Sequence, residues 1–127
     1  KFVSVWLNSK REVVLITEMI TGGSLKSYLK RVGPQRLKVI VLWCRQILEG
    51  LSYLHSQEPP IIHRDIKCDN IFINNYNGEI KIGDLGLSRA MSATKTKSVL
   101  GTPAYMAPEL YEGQYTIKVD IYAFGMT

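Results

Sequence analysis

Three short runs concentrate the residue types from which catalysis is built. They are His63-Arg64-Asp65-Ile66-Lys67-Cys68-Asp69-Asn70, then Asp84-Leu85-Gly86, then Ala107-Pro108-Glu109. The octet sets a carboxylate able to accept a proton, an ammonium group and an amide oxygen close together along the chain. Carboxylate and amide oxygens are also the donors that hard cations take. D-x-G and A-P-E arise easily by chance. An H-R-D-x-K-x-x-N octet is far more specific, and all three runs in this order, with a hairpin signal between the first two, leave little room for accident.

The surrounding pattern predicts the elements that must hold these residues. Residues 1–7 and 12–18 are rich in β-branched and large apolar side chains and flank Asn8-Ser9-Lys10-Arg11, which predicts two antiparallel strands. Ser24 is an N-cap for a short helix through Lys30, closed by Gly33-Pro34. From Gln35 to His55 the residues Leu37, Ile40, Val41, Cys44, Ile47, Leu48, Leu51 and Leu54 recur at helical spacing, predicting a long helix with one buried face, ended by Pro59-Pro60. Ile71-Phe72-Ile73 and Glu79-Ile80-Lys81-Ile82 flank a turn carrying Asn77-Gly78, a hairpin. Residues 84–105 read as a long exposed loop, and a last helix starts near Lys118. His55 has no partner that the sequence names and reads as structural, as does Cys68.

Composition narrows the classes. The chain has 127 residues, 46% hydrophobic and 21% charged, as in ordinary globular domains. Its 16 basic and 11 acidic residues give +5, but the cations come singly or as Lys10-Arg11 and Lys30-Arg31, so a solvated surface explains them better than nucleic acid does. The longest apolar run, Val39 to Cys44, is far short of the roughly 20 residues that cross a bilayer. Two cysteines, Cys44 and Cys68, make no multi-bridge scaffold and suit a reducing, cytoplasmic setting.

The three runs together resemble the eukaryotic protein kinases. The resemblance implies an α+β, protein-kinase-like fold cut at both ends. Residues 1–20 would be the end of the N-lobe and the hinge, and residues 21–127 the first half of the mainly helical C-lobe with catalytic loop and activation segment. It implies transfer of the ATP γ-phosphate, with Mg²⁺, to Ser/Thr hydroxyls of protein substrates. Asp65 would accept the hydroxyl proton, Lys67 would reach the transferred phosphoryl group, and Asn70 and Asp84 would hold metal. Thr102, in Gly101-Thr102-Pro103, would bridge Asp65 and Lys67, and with Lys67 it marks the serine/threonine class. His63 would pack under the Asp-x-Gly turn. Arg64 beside the base suggests control by loop phosphorylation, a phosphate adding roughly −1.5 to −2 charges; Ser98 is the first candidate and Thr94 the second. Thr17 matches the gatekeeper, Glu18-Met19-Ile20 the adenine-binding hinge, and Phe72 the apolar floor under the base.

Narrower stretches look like the WNK (with-no-lysine) family: residues 59–73 with Lys67-Cys68-Asp69-Asn70-Ile71-Phe72, Lys81 to Leu87 with Leu85 where most kinases carry Phe, Trp43 to Leu48, and Val119 to Met126. That likeness implies an inhibitory chloride bound by the backbone N–H groups of Gly86 and Leu87, in a pocket of Leu85, Leu87, Phe2 and Leu15. An ordinary packed turn is the alternative. It also implies self-association for trans-autophosphorylation. Ala104-Tyr105 stands where that family usually has Glu-Phe, which leaves peptide preference open. The likeness covers about half of a kinase domain, without the glycine-rich loop, the phosphate-binding Lys and the αC Glu. The isolated chain is therefore expected to be inactive, and an inactive fragment or pseudokinase serving as a scaffold is the rival function.

Overall fold

The computed structural model describes residues 2–83, 89–90, 101–112 and 115–127. Strands β1 (Phe2–Leu7) and β2 (Val13–Thr17) form an antiparallel pair with Val5 opposite Leu15 and Trp6 opposite Val14. Asn8 builds the reversal, its Oδ1 accepting from the backbone N–H of both Lys10 and Glu12 at 2.9 Å. Short polar side chains that bond their own backbone in this way favour turns.

Helix α1 (Leu25–Val32) starts at Ser24, whose side chain accepts from Ser27 N–H at 3.2 Å. Helix α2 (Leu37–His55) begins two residues later than the pattern predicts and ends before Pro59-Pro60, as predicted. Its buried stripe is Trp43, Ile47 and Leu51, spaced by four residues and so stacked on one face. This is narrower than the predicted face: Leu37 and Val41 are 75% and 57% exposed. The helix offers two apolar stripes, and only the one facing the β4–β5 hairpin is covered by described residues.

That hairpin joins β4 (Ile71–Ile73) to β5 (Ile80–Ile82), with Phe72 opposite Lys81. Ile71, Ile73 and Ile80 point into the core with Leu25, Ile66, Trp43, Ile47, Leu51 and Ala123. Gln46 of α2 caps the hairpin by accepting from Ile80 N–H at 2.7 Å. On its other edge Gly22 N–H donates to Ile73 O at 2.9 Å, and a Cβ at Gly22 would stand 2.1 Å from that oxygen, so only glycine allows this approach.

The expected exposed loop over 84–105 is corrected where it is described. Strand β6 (Arg89–Ala90) pairs antiparallel with β3 (Ile61–Ile62), and Pro103–Tyr105 forms a single 3-10 turn. A second core explains why the polar segment is anchored after it: Met106 and Ala107 bury against Ile62, Leu110 and Val119. Pro108–Leu110 makes a second 3-10 turn, and α3 (Lys118–Gly125) follows where the sequence predicts a helix.

Candidate active site

The octet forms the loop from β3 to β4, and its backbone is held from beneath. Asp120, in the first turn of α3 and fully buried, accepts from His63 N–H through Oδ2 and from Arg64 N–H through Oδ1, each at 2.9 Å. His55 at the end of α2 places Nε2 2.8 Å from the same Oδ2. Arg64 takes a left-handed backbone (φ 68°), so the loop turns sharply before Asp65. The sequence left His55 without a partner. The signal that would have named one is the lone carboxylate of the otherwise mostly apolar α3, since a buried charge needs donors around it.

His63 is wholly buried between Gly83 and Asp65: its Nε2 lies 2.9 Å from Gly83 O, and Asp65 N–H donates to its Nδ1 at 3.3 Å. One nitrogen must donate and the other accept, which defines the neutral tautomer with hydrogen on Nε2. The ring thus ties the octet to Gly83, whose N–H donates to Asn70 O at 2.9 Å. Gly83 immediately precedes Asp84; Asp84 itself lies outside the described residues.

Above this base Asp65, Lys67, Asn70 and Thr102 converge. Thr102 Oγ1 donates to Asp65 Oδ1 at 2.8 Å, Lys67 Nζ donates to Thr102 Oγ1 at 2.6 Å, and the same ammonium lies 2.9 Å from Asp65 Oδ2. Asn70 Nδ2 donates both to Asp65 Oδ2 (2.7 Å) and to Asp65 O (2.8 Å). Burial pushes the Asp65 carboxyl up, but the hydrogen bonds from Lys67, Thr102 and Asn70 together hold it below its ordinary value. With its nitrogen committed to Asp65, Asn70 presents Oδ1, to which nothing donates among the described residues; a neutral oxygen of this kind fits a hard cation. Gly101 makes the meeting of segments possible. Its φ is 139°, and a Cβ there would lie 2.8 Å from Arg64 O.

The remaining expected residues sit around this centre. Arg64 Nη1 reaches Tyr115 OH at 3.4 Å. Thr17 closes β2, and the next two residues lead away from it: the Glu18 carboxylate is ion-paired with Lys81, which holds it well below the usual carboxylate range, and Met19 is 84% exposed. Phe72 lies half-buried on β4, its ring against Gly83. Lys26 of α1 pairs with Asp69 at 2.9 Å, and its N–H donates to Cys68 O. Burial, and then the Asp69 charge, raise the Cys68 thiol pKa, which leaves it mostly protonated and unsuited to act as a nucleophile. Neither the Glu18–Lys81 pair nor the Lys26–Asp69 pair is written in any local spacing. Ser98, Thr94, Leu85, Gly86 and Leu87 lie outside the described residues, and of Phe2 and Leu15 only the backbone is described, on facing strands.

The protein kinase domain family matches residues 1–127, and the chain belongs to that family. It is 55% identical over 129 residues to serine/threonine-protein kinase WNK3 of Mus musculus, covering 99% of this chain and 7% of that protein. Over 129 residues it is 56% identical to WNK2 of Homo sapiens, again covering 99% of this chain and 6% of the relative. Serine/threonine-protein kinase WNK of Caenorhabditis elegans is 54% identical over 131 residues, covering 99% of this chain and 7% of its own length. The chain thus spans 7% or less of these curated relatives.

Proposed function

We propose that this chain is part of the catalytic domain of a serine/threonine protein kinase, with residues 1–20 ending the N-lobe and 21–127 opening the C-lobe. The observation that carries the proposal is the closed set of contacts among Asp65, Lys67 and Thr102. In the reaction an acceptor Ser or Thr oxygen attacks the γ-phosphorus of ATP, the bond to the β,γ-bridging oxygen breaks, and ADP leaves. Asp65, kept ionised, orients the acceptor hydroxyl and takes its proton. Lys67 is near enough to Asp65 to share its field and to offset charge on the transferred phosphoryl group. Thr102 fixes the two relative to one another. Mg²⁺ bound with ATP neutralises phosphate charge, and Asn70 Oδ1 with Asp84 would hold it. Thr17, the hinge at Glu18-Met19 and Phe72 would receive the adenine.

Several finer readings belong with this one: activation by phosphate on Ser98 or Thr94 pairing with Arg64, self-association for trans-autophosphorylation, a cytoplasmic setting, and inhibition by chloride at Gly86 and Leu87. Among the described residues no helix is long and apolar enough to cross a membrane. The test is phosphoryl transfer by the complete protein to peptides carrying Ser, Thr or Tyr acceptors. Transfer to Ser or Thr that disappears in Asp65→Asn is expected; transfer that survives it refutes the assignment of the base. A complete protein with no transfer at all would instead support the scaffold. Autophosphorylation that declines as chloride rises is expected, and indifference to chloride removes that part.

A further inference from the structure

The excess of positive charge is gathered in one part of the chain. Residues 19–48 hold six basic residues and no acidic one, while the rest of the chain holds ten basic and eleven acidic residues. Three of the six have ordinary structural uses: Lys26 pairs with Asp69, Arg45 pairs with Glu49, and Arg31 lies over the Tyr28 ring at 5.5 Å. Lys30, Arg36 and Lys38 are exposed, and no carboxylate among the described residues pairs with any of them.

These three stand at one corner, on the last turn of α1 and the start of α2. The corner is fixed, since Gly33 N–H donates to Leu29 O at 2.8 Å and the Gln35 amide donates to Gly33 O at 3.0 Å. Lys30 suits the negative end of α1, but Arg36 and Lys38 sit at the positive end of α2, where no acidic residue and no side-chain cap offsets them. A local rule broken in this way marks a surface shaped for something other than stability. Between the two cations Leu37 is 75% exposed, and Val41, one turn on, is 57% exposed. The uncovered stripe of α2 begins here. An apolar strip bordered by unpaired cations complements apolar side chains flanked by carboxylates. A nucleic acid would satisfy the cations and leave Leu37 and Val41 in water.

We propose that this corner docks an acidic, amphipathic segment of a separate protein, its apolar side chains over Leu37 and Val41 and its carboxylates on Lys30, Arg36 and Lys38. None of these residues takes part in the contacts that orient Asp65, so the proposal goes beyond the kinase reading and is tested apart from it.

The test measures binding of a fluorescent twelve-residue peptide that repeats Glu-Glu-Leu to the complete protein. Binding that weakens as sodium chloride is raised is expected. Arg36→Glu with Lys38→Glu should weaken it by about ten-fold or more while raising the melting temperature, because acids suit that end of α2. Leu37→Ser should weaken it by about three-fold or more. Absence of binding, or affinity unchanged in the doubly acidic variant, overturns the proposal. So does full affinity in Leu37→Ser, since the corner would then hold charge alone and not an amphipathic segment. Single-stranded oligothymidylate and phosphatidylserine vesicles serve as controls. If either binds as tightly as the peptide and is lost in the same variant, the choice of a protein partner is overturned. If the doubly acidic variant does not fold, Arg36→Gln with Lys38→Gln removes the same charges and is read by the same criteria.

Discussion

At Asp65 two opposing influences meet. Burial favours the neutral acid, while the ammonium of Lys67, the Thr102 hydroxyl and the Asn70 amide favour the carboxylate, and the carboxylate wins. Because the folded pKa is lowered, this group's contribution to stability is present above the ordinary Asp value of about 3.9 and disappears as pH falls through the folded value below it. The stability difference between the complete protein and its Asp65→Asn variant should therefore shrink as the solution is taken from pH 6 toward about pH 3. Denaturant melts at several pH values measure this; a difference that grows on acidification would contradict the hydrogen-bond account. Thr102 supplies a second prediction. Thr102→Val keeps shape and removes the hydroxyl that Lys67 and Asp65 share, so kcat should fall about ten-fold, with Thr102→Ser retaining most of it. Equal loss in Ser and Val variants would mean that the methyl group, not the hydroxyl, matters.

Elements bring these side chains together by a few close contacts that tolerate no change. The approach of Gly22 to β4 is one, since any Cβ there would collide with a backbone oxygen that has nowhere to move. Gly22→Ala is expected to destabilise the domain by about 1–3 kcal/mol, as overpacking does, readable as a lowered denaturation midpoint. The cap from Gln46 to Ile80 N–H is gentler. Gln46→Leu leaves a partly buried donor without its acceptor and should cost about 1–3 kcal/mol, whereas Gln46→Glu, which keeps an acceptor, should cost less. At the same scale, the described part of residues 84–105 is not the one exposed loop that local sequence predicts, and the stretch just beyond it is anchored. The pair of β6 with β3 and the burial of Met106 and Ala107 depend on residues nearly thirty and more than forty positions away, which no window of local sequence contains.

Across the whole molecule the two cores divide the labour. The larger one, under α2 and the β4–β5 hairpin, supports Asn70 through Ile71 and Ile66; the smaller one, under Met106 and Val119, supports Thr102 and Asp120 from the other side. The site lies where they meet. The proposed function requires a divalent cation carried in with nucleotide, for which the Asn70 Oδ1 left over by the bonds of Nδ2 to Asp65 is a candidate donor. ATP with Mg²⁺ should raise the melting temperature of the complete protein, and removal of the metal by EDTA should abolish most of that shift. A shift that persists in EDTA would separate nucleotide binding from metal binding. Leu51→Ala, in the larger core and not among the site residues, should cost about 2–5 kcal/mol, with kcat per folded molecule changed far less than stability.

Much of this was legible in the chain itself. The octet, the Asn77-Gly78 turn, the Ser24 cap and the period of α2 are local: each depends on residues within a few positions, where backbone geometry and side-chain type act directly. Thus the kinds of group at the site, and the helix and hairpin that flank it, follow from the sequence alone. The tertiary structure decided which of those groups meet. Asp120 reaches His55, His63 and Arg64 across more than fifty positions; Thr102 reaches Asp65 and Lys67 across more than thirty; Lys81 reaches Glu18 across sixty-three. The same is true of α2, whose apolar pattern predicts one broad buried face but whose packing partners cover only the stripe of Trp43, Ile47 and Leu51. Spacing records what a residue can do within a turn of helix or a strand pair. Hydrogen bonds between distant segments exist only once burial has brought those segments together; the Thr102 hydroxyl reaches Asp65 in this way, while Lys67 and Asn70 act on it from within the octet.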